Sequence, residues 1–427
     1  MDINRKTAME TLTAIENNKA YSHIALNSFI AANNPDNPAQ VREMVYGVLK
    51  NKLYVDYILS QLIATPPSKL KNNARTILRM GIYQMIFMQS VPDYAAVNES
   101  VNLAKKFARG QSGFINGVLR GYIRGRSEMA SPDRETSLVR FLSVQYSYSE
   151  WIIALWLSCY DADFVEALLA AGNETPRLTL RVNRLKATPE SLLLKLAEEG
   201  FEAETSPIEP NAIYVKGSNL LKSALFLSGS FSVQDESSML AVDLLDPKPG
   251  ELIIDLCAAP GGKTLYIAEK MQNHGRVLAW DFYDHKLALL NQAALRNGLT
   301  IIETSQRDSR IVDTHLAGLA DRVLVDAPCS GLGVVRRKPE IKYVPDSGQI
   351  GQLAEQQLTL LETASTYLKP EGVLIYSTCT ISSLENEQVV KKFLSRNTAF
   401  DCVEQKQLFP HIHHTDGFFM AKLIKKK

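Results

Sequence analysis

Asp255-Leu256-Cys257-Ala258-Ala259-Pro260-Gly261-Gly262-Lys263-Thr264 is the stretch on which the reading of the C-terminal half turns. It follows the apolar run Leu252-Ile253-Ile254 and leads into an amphipathic segment, so it reads as a strand, a tight turn of small residues and a helix start. Small residues let the backbone approach a ligand, and the free N–H groups of a helix start favour an anionic group. Strands are predicted at 251–257, 276–281, 301–307, 321–327 and 371–378, with helices at 262–273, 285–298, 352–368 and 382–397. Such alternation predicts a doubly wound α/β domain of Rossmann-like type, because each crossover helix must cover a face of a parallel sheet. Its ligand is expected beyond the carboxyl ends of the strands.

Acids recur at those ends: Asp281 after the second strand, Asp308 after the third and Asp326 at the fourth. One of them could be a helix cap, but three in series point to a ligand. A carboxylate at the second strand end suits the two hydroxyls of a ribose. Neither GxGxxG nor GxxxxGK[ST] is present, which argues against a dinucleotide or a nucleoside triphosphate.

Two cysteines stand at the same edge, Cys329 in Asp326-Ala327-Pro328-Cys329-Ser330-Gly331 and Cys379 in Ser377-Thr378-Cys379-Thr380. An isolated cysteine is more often a small buried hydrophobe. The fourth and fifth strands are expected to be neighbours, so these two thiols could face one pocket. A thiolate can add to carbon-6 of a cytosine and make carbon-5 reactive toward a methyl sulfonium, which splits one hard step into two. Ring N3 then needs a proton or charge stabilisation, a role open to Asp326 if protonated or bridged by water. A second thiol offers a route for product release.

The remainder of the 427 residues predicts two further domains. Residues 1–130 read as helices only, at 5–16, 22–32, 40–63, 70–88, 95–108 and 113–124, separated by turns such as Asn34-Pro35, Pro66-Pro67 and Pro92-Asp93. Residues 131–240 read as a connector and a small α+β unit, with a helix near 149–171, a strand at 177–182, a helix at 188–199 and a strand near 213–215. Residues 241–427 form the α/β domain. Overall charge is +1, but residues 1–130 carry 16 Lys+Arg against 9 Asp+Glu and the rest 31 against 37. The basic excess, including Arg42, Lys50, Lys52, Lys71, Arg75, Arg79, Lys105, Lys106, Arg120 and Arg124, sits where it could meet a phosphate backbone.

Residues 232–427 resemble the Sun-type RNA cytosine-C5 methyltransferases, through Val233-Gln234-Asp235-Glu236-Ser237-Ser238, Asp255 to Lys263, Asp281, Asp308, the Asp326 to Gly331 segment, Arg336-Arg337-Lys338-Pro339-Glu340 and Ser377 to Thr380. The resemblance implies that Cys257, Ala258, Ala259, Pro260, Gly261, Gly262, Lys263, Asp281, Asp308 and Asp326 bind S-adenosylmethionine. It implies that Cys379 is the nucleophile and that Cys329 assists product release. DNA cytosine methyltransferases take their nucleophile from Pro-Cys-Gln, and Ser330 stands here in place of that Gln. The N-terminal helices resemble the RNA-binding bundle of NusB through Arg42 to Leu49, Arg79 to Gln84 and Pro92 to Glu99. A NusB-like bundle fused to a Sun-type domain is the arrangement of bacterial small-subunit ribosomal RNA methyltransferases.

The partner expected is therefore small-subunit ribosomal RNA. Transfer RNA or another RNA as substrate, or a non-catalytic RNA-binding role in ribosome assembly, are the alternatives. Arg336, Arg337 and Lys338 follow the Cys329 loop and are candidates for phosphate contacts. No apolar run is long enough to span a membrane and no signal peptide leads the chain, so a cytoplasmic protein is expected; a monomer is expected as well. Five scattered cysteines give neither a disulfide framework nor a zinc pattern, and His411-Ile412-His413-His414 lacks further ligands, so no metal is expected.

Overall fold

The computed structural model describes residues 2–18, 21–217, 219–343 and 348–427. It divides into two compact units.

One unit holds residues 2–174 together with 335–343. Seven helices run from Ile3–Asn18 to Ser112–Gly125, and Leu138–Tyr146, Glu150–Leu157 and Ala162–Ala171 follow. Asn72–Phe87 is buried on nearly every side from Ala74 to Gln84 and forms the axis of the bundle. The apolar pattern at 40–63 is two helices, Pro38–Lys50 and Lys52–Leu62, because Asn51 breaks it. Its backbone N–H and its side-chain amide both donate to the Gly47 carbonyl and close the first helix.

Two of the basic residues expected to face phosphate do not. Arg75 and Arg79 are buried. Arg79 forks onto both oxygens of Asp56 at 2.7 Å, and both arginines pair with Glu16. Helical periodicity marks which face a residue occupies and not whether an acid waits on the facing helix. Arg42, Lys71, Lys105, Lys106, Arg120 and Arg124 are exposed.

The segment 335–343 is inserted in sequence within the α/β half but is part of the helical unit. Glu340 accepts from the Ser22 backbone N–H at 3.1 Å and hydroxyl at 2.8 Å. Lys342 is wholly buried, and its ammonium donates to the Lys50 and Tyr146 carbonyls and to Asn173 Oδ1 at 2.6–2.9 Å. It also lies 4.2 Å from the centre of the Tyr148 ring. Arg336 is buried as well, which counts against the phosphate contact expected of it.

The other unit holds residues 175–334 and 348–427. Its first part is an antiparallel sheet of β1 (Leu178–Val182), β2 (Glu202–Thr205), β3 (Ala212–Lys216) and β4 (Phe231–Val233), ordered β2-β3-β1-β4. Leu180, Val182, Ile213, Val215 and Phe231 pack with Leu192 and Leu196 of the helix Pro189–Glu198. β2 escapes the sequence reading because Glu202-Ala203-Glu204-Thr205 is short and polar, and β4 because it spans only three residues.

The second part is a seven-stranded sheet of β5 (Leu252–Asp255), β6 (Arg276–Asp281), β7 (Ile302–Gln306), β8 (Ala320–Asp326), β9 (Leu368–Thr378), β10 (Phe400–Leu408) and β11 (Phe418–Lys425), ordered β10-β11-β9-β8-β5-β6-β7. β5 to β9 are parallel, as the alternation of strands and helices predicts. The sheet is mixed, however, since β11 runs antiparallel to β9 and β10 to β11. The chain leaves β5 toward β6 and β7, then returns to lay β8 on the other side of β5. A crevice opens beyond the carboxyl ends at that reversal.

Candidate active site

The turn after β5 is built to bring backbone close to that crevice. Gly261 has φ +110°, and a Cβ there would stand 2.8 Å from Leu290 Cγ. The helix Gly262–Lys270 starts immediately afterwards. Asp255 lies beneath the turn and accepts from the Thr264 hydroxyl at 2.7 Å and the Cys257 N–H at 3.3 Å. Its complete burial pushes the carboxyl up to about 7. Burial also drives the Cys257 thiol well above the usual range, with the Asp255, Asp326 and Asp281 carboxylates acting in the same direction.

Asp281 ends β6, and its two oxygens accept one backbone bond each, from Ala259 N at 3.2 Å and Tyr283 N at 2.9 Å. Each oxygen keeps a further lone pair. Asp308, beyond β7, is gripped by the Arg310 guanidinium, which holds its carboxyl below the usual range. A cavity of about 350 Å³ is lined by Cys257, Asp281, Phe282, Asp308, Arg310 and Pro328 among others. Its wall sets the carboxylates of Asp281 and Asp308 beside the cations Lys286, Arg307 and Arg310 and apolar Leu256, Pro328 and Leu360, with the exposed ring of Phe282 at one side.

At the end of β8, Asp326 accepts from Lys263 Nζ at 2.7 Å and from the Ser377 hydroxyl at 2.9 Å. Lys263 therefore joins the glycine turn to the next strand end. The two cysteine loops meet beside it, with Cys329 Sγ 3.3 Å from Cys379 Sγ. A hydrogen bond shared with Cys379 holds the Cys329 thiol well above its ordinary range, with burial and the Glu385 carboxylate acting in the same direction. Either thiol can donate in this contact. The loops are also tied through backbone. Gly333 N donates to the Cys379 carbonyl at 3.0 Å, and Gly417 N donates to the Gly333 carbonyl at 2.9 Å. A Cβ on Gly333 would fall 1.9 Å from the Gly417 oxygen, so only glycine permits the approach.

The structure thus gathers Cys257 to Lys263, Asp281, Asp308, Asp326, Cys329 and Cys379 at one edge of one sheet. Two buried charges that sequence reading missed support them. Arg181, on β1, has no exposed surface; it pairs with Glu269 at 2.8 Å and donates to the Gly262 carbonyl at 2.6 Å and to Gln234. An arginine amid the apolar residues of β1 was the available signal. Glu385 touches both cysteine loops, and nothing in its sequence neighbourhood marks it. Among the described residues no group of three or more His, Cys, Asp or Glu is placed to hold a metal, and no helix is long and apolar enough to cross a membrane.

Three family models match the chain: the NusB family over residues 2–124, the RsmF/B-like ferredoxin-like domain over 148–220 and the 16S rRNA methyltransferase RsmB/F over 242–424. The probable ribosomal RNA small subunit methyltransferase B of Bacillus subtilis is 38% identical over 99% of this chain and 98% of its own. The ribosomal RNA small subunit methyltransferase B of Serratia proteamaculans is 34% identical over 91% of this chain and 90% of its own. Among solved structures, that of PH0851 matches with a TM-score of 0.85 at 26% identity, over 100% of this chain and 98% of that one. With identity at this level along nearly the whole chain, the protein belongs to the RsmB/F family of 16S ribosomal RNA methyltransferases.

Proposed function

We propose that the protein methylates carbon-5 of a cytosine in small-subunit ribosomal RNA, with S-adenosylmethionine as methyl donor and a transient bond between Cys379 and carbon-6 of the base. The observation that carries the reading is the 3.3 Å approach of two thiols beside the Lys263–Asp326 pair. A single thiol could be structural, but two in contact at the carboxyl ends of adjacent strands suit a reaction that forms and then breaks a carbon–sulfur bond.

The residues fit the cofactor. The free lone pairs of Asp281 suit two ribose hydroxyls, the Gly262 helix start suits a carboxylate, and Phe282 offers an aromatic face to a base. Asp308 and Asp326 would complete the cofactor site with Cys257 to Lys263. When bound, S-adenosylmethionine supplies a methyl group on a sulfonium. Cys379, its proton passed to solvent, attacks carbon-6 as the thiolate, and the electron pair displaced toward N3 is met by a proton from the Lys263–Asp326 pair. After methylation the N3 proton returns to the Lys263–Asp326 pair, the carbon-5 proton goes to a base, and the electron pair of that carbon–hydrogen bond forms the carbon-5 to carbon-6 double bond and expels Cys379 as thiolate. Cys329, once its own proton has passed to solvent, is the neighbouring group in reach to accept that carbon-5 proton.

The test offers labelled S-adenosylmethionine with naked 16S ribosomal RNA, assembled small subunits and transfer RNA, then maps the product. Label at cytosine carbon-5 in ribosomal RNA is expected, and label only in transfer RNA or on another atom would refute the reading. Asp281→Ala is expected to weaken cofactor binding at least tenfold with the fold retained, since hydrogen bonds to a charged acceptor contribute roughly 1.5–3 kcal/mol each. Unchanged affinity by calorimetry would remove Asp281 from the site.

RNA docking is assigned to the exposed basic residues of the helical unit. Lys105 and Lys106 close the helix Asp93–Phe107, and Arg120 and Arg124 lie on Ser112–Gly125. Replacing all four by Gln should weaken RNA binding and flatten its salt dependence by roughly 0.7–0.9 in logarithmic slope for each phosphate no longer neutralised. An identical slope would place the RNA elsewhere.

A further inference from the structure

The two cysteine loops come from different strands, and a buried carboxylate outside both active-site motifs reaches each of them. Glu385 has no exposed surface. Its Oε1 accepts from the Ser330 backbone N–H at 2.8 Å and from Gln357 Nε2 at 3.2 Å. Its Oε2 accepts from the Ser330 hydroxyl at 2.5 Å and the Thr380 hydroxyl at 3.4 Å. Ser330 and Thr380 each follow one of the thiols directly, and their hydroxyls lie 2.7 Å apart. Gln357 also donates to the Pro328 carbonyl at 2.9 Å, on the other side of Cys329. Glu385 is itself held, since the Tyr376 hydroxyl donates to its backbone carbonyl at 2.5 Å. Burial raises its carboxyl above the usual range, a cost that four donors directed at two oxygens offset.

A carboxylate without exposure to solvent is expensive for a fold that needs only a tight turn. Here every donor it collects belongs to a cysteine loop or braces one. We propose that Glu385 is a positioning residue that fixes the separation of Cys329 and Cys379, so that both thiols meet the same base in sequence. The proposal rests on the two-thiol reading above. It also assigns a purpose to Ser330, whose backbone and side chain are both needed to fork onto one carboxylate.

Glu385→Ala, Glu385→Gln and Ser330→Ala in the full-length protein test it, with kcat, KM for ribosomal RNA, cofactor affinity and the yield of denaturant-stable RNA adduct as readouts. Loop displacement of about 1 Å costs about 100-fold in rate, so Glu385→Ala should lose kcat by that order with KM and cofactor affinity within about threefold. Adduct should accumulate, because release suffers when Cys329 drifts from Cys379. Glu385→Gln retains one acceptor oxygen for the Ser330 N–H, while the Ser330 hydroxyl can turn to accept from the amide, so it should recover about tenfold of the lost kcat. Ser330→Ala should fall between Glu385→Gln and the unaltered enzyme.

Unchanged kcat in Glu385→Gln and Ser330→Ala, or a loss of cofactor affinity in parallel with kcat across all three, would overturn the proposal in favour of a purely structural carboxylate. Cys379→Ala is run alongside. Methylation by that variant would instead sink the two-thiol reading, and the kcat split of the Glu385 variants would still report on loop position.

Discussion

Cys379→Ala is expected to abolish methylation and to form no RNA adduct, whereas Cys329→Ala is expected to accumulate one. The asymmetry follows from the order of events. Without Cys379 the first carbon–sulfur bond is never made. Without Cys329 that bond forms and the methyl group is transferred, but the neighbour 3.3 Å away that assists expulsion is missing. The methylated RNA then remains on Cys379 and should migrate with the protein in a denaturing gel, only when S-adenosylmethionine is supplied. The double variant should show no adduct. Adduct from Cys379→Ala and none from Cys329→Ala would reverse the roles and place the nucleophile after Pro328.

Arg181→Leu is expected to be the most destabilising single change away from the thiols. The Arg181 and Glu269 side chains are 0% and 1% exposed, so removing one leaves an uncompensated charge in the interior. Such a break costs about 3–5 kcal/mol, which for a unit of this size lowers the melting midpoint by about 10 °C. The Gly262 carbonyl also loses its donor, so cofactor affinity should fall with stability. The double variant Arg181→Leu, Glu269→Leu should regain most of the stability, because the charge is then removed with its partner. A midpoint within about 2 °C of the original for the single variant would mean that the pair contributes little.

What the sequence discloses divides along a physical line. Strand ends are legible because apolar runs such as Ile253-Ile254 and Val323-Leu324-Val325 are strictly local, and Asp281, Asp326, Cys329 and Cys379 follow directly from such runs. Short polar strands such as β2 carry no such signal. Arg181 and Glu385 are invisible for a different reason, since each acts chiefly through partners far along the chain, Gly262 at 81 residues and Ser330 at 55. The same non-locality hides the Asp56 and Glu16 partners of Arg79, so that a buried ion network reads as a basic surface.

The placement of residues 335–343 in the helical unit bears on how the chain is made. Synthesis delivers the bundle first, yet its last piece, with the Lys342 ammonium and its three acceptors, is encoded after β8. A nascent helical unit therefore waits with an unfilled polar seat formed by the Lys50 and Tyr146 carbonyls and Asn173 while some 160 further residues leave the ribosome at about 5–20 residues per second. Domains usually complete themselves in the order of translation. In this protein the first unit translated is closed only once most of the strands of the second have emerged, which makes the interval of exposure a matter of about ten seconds or more.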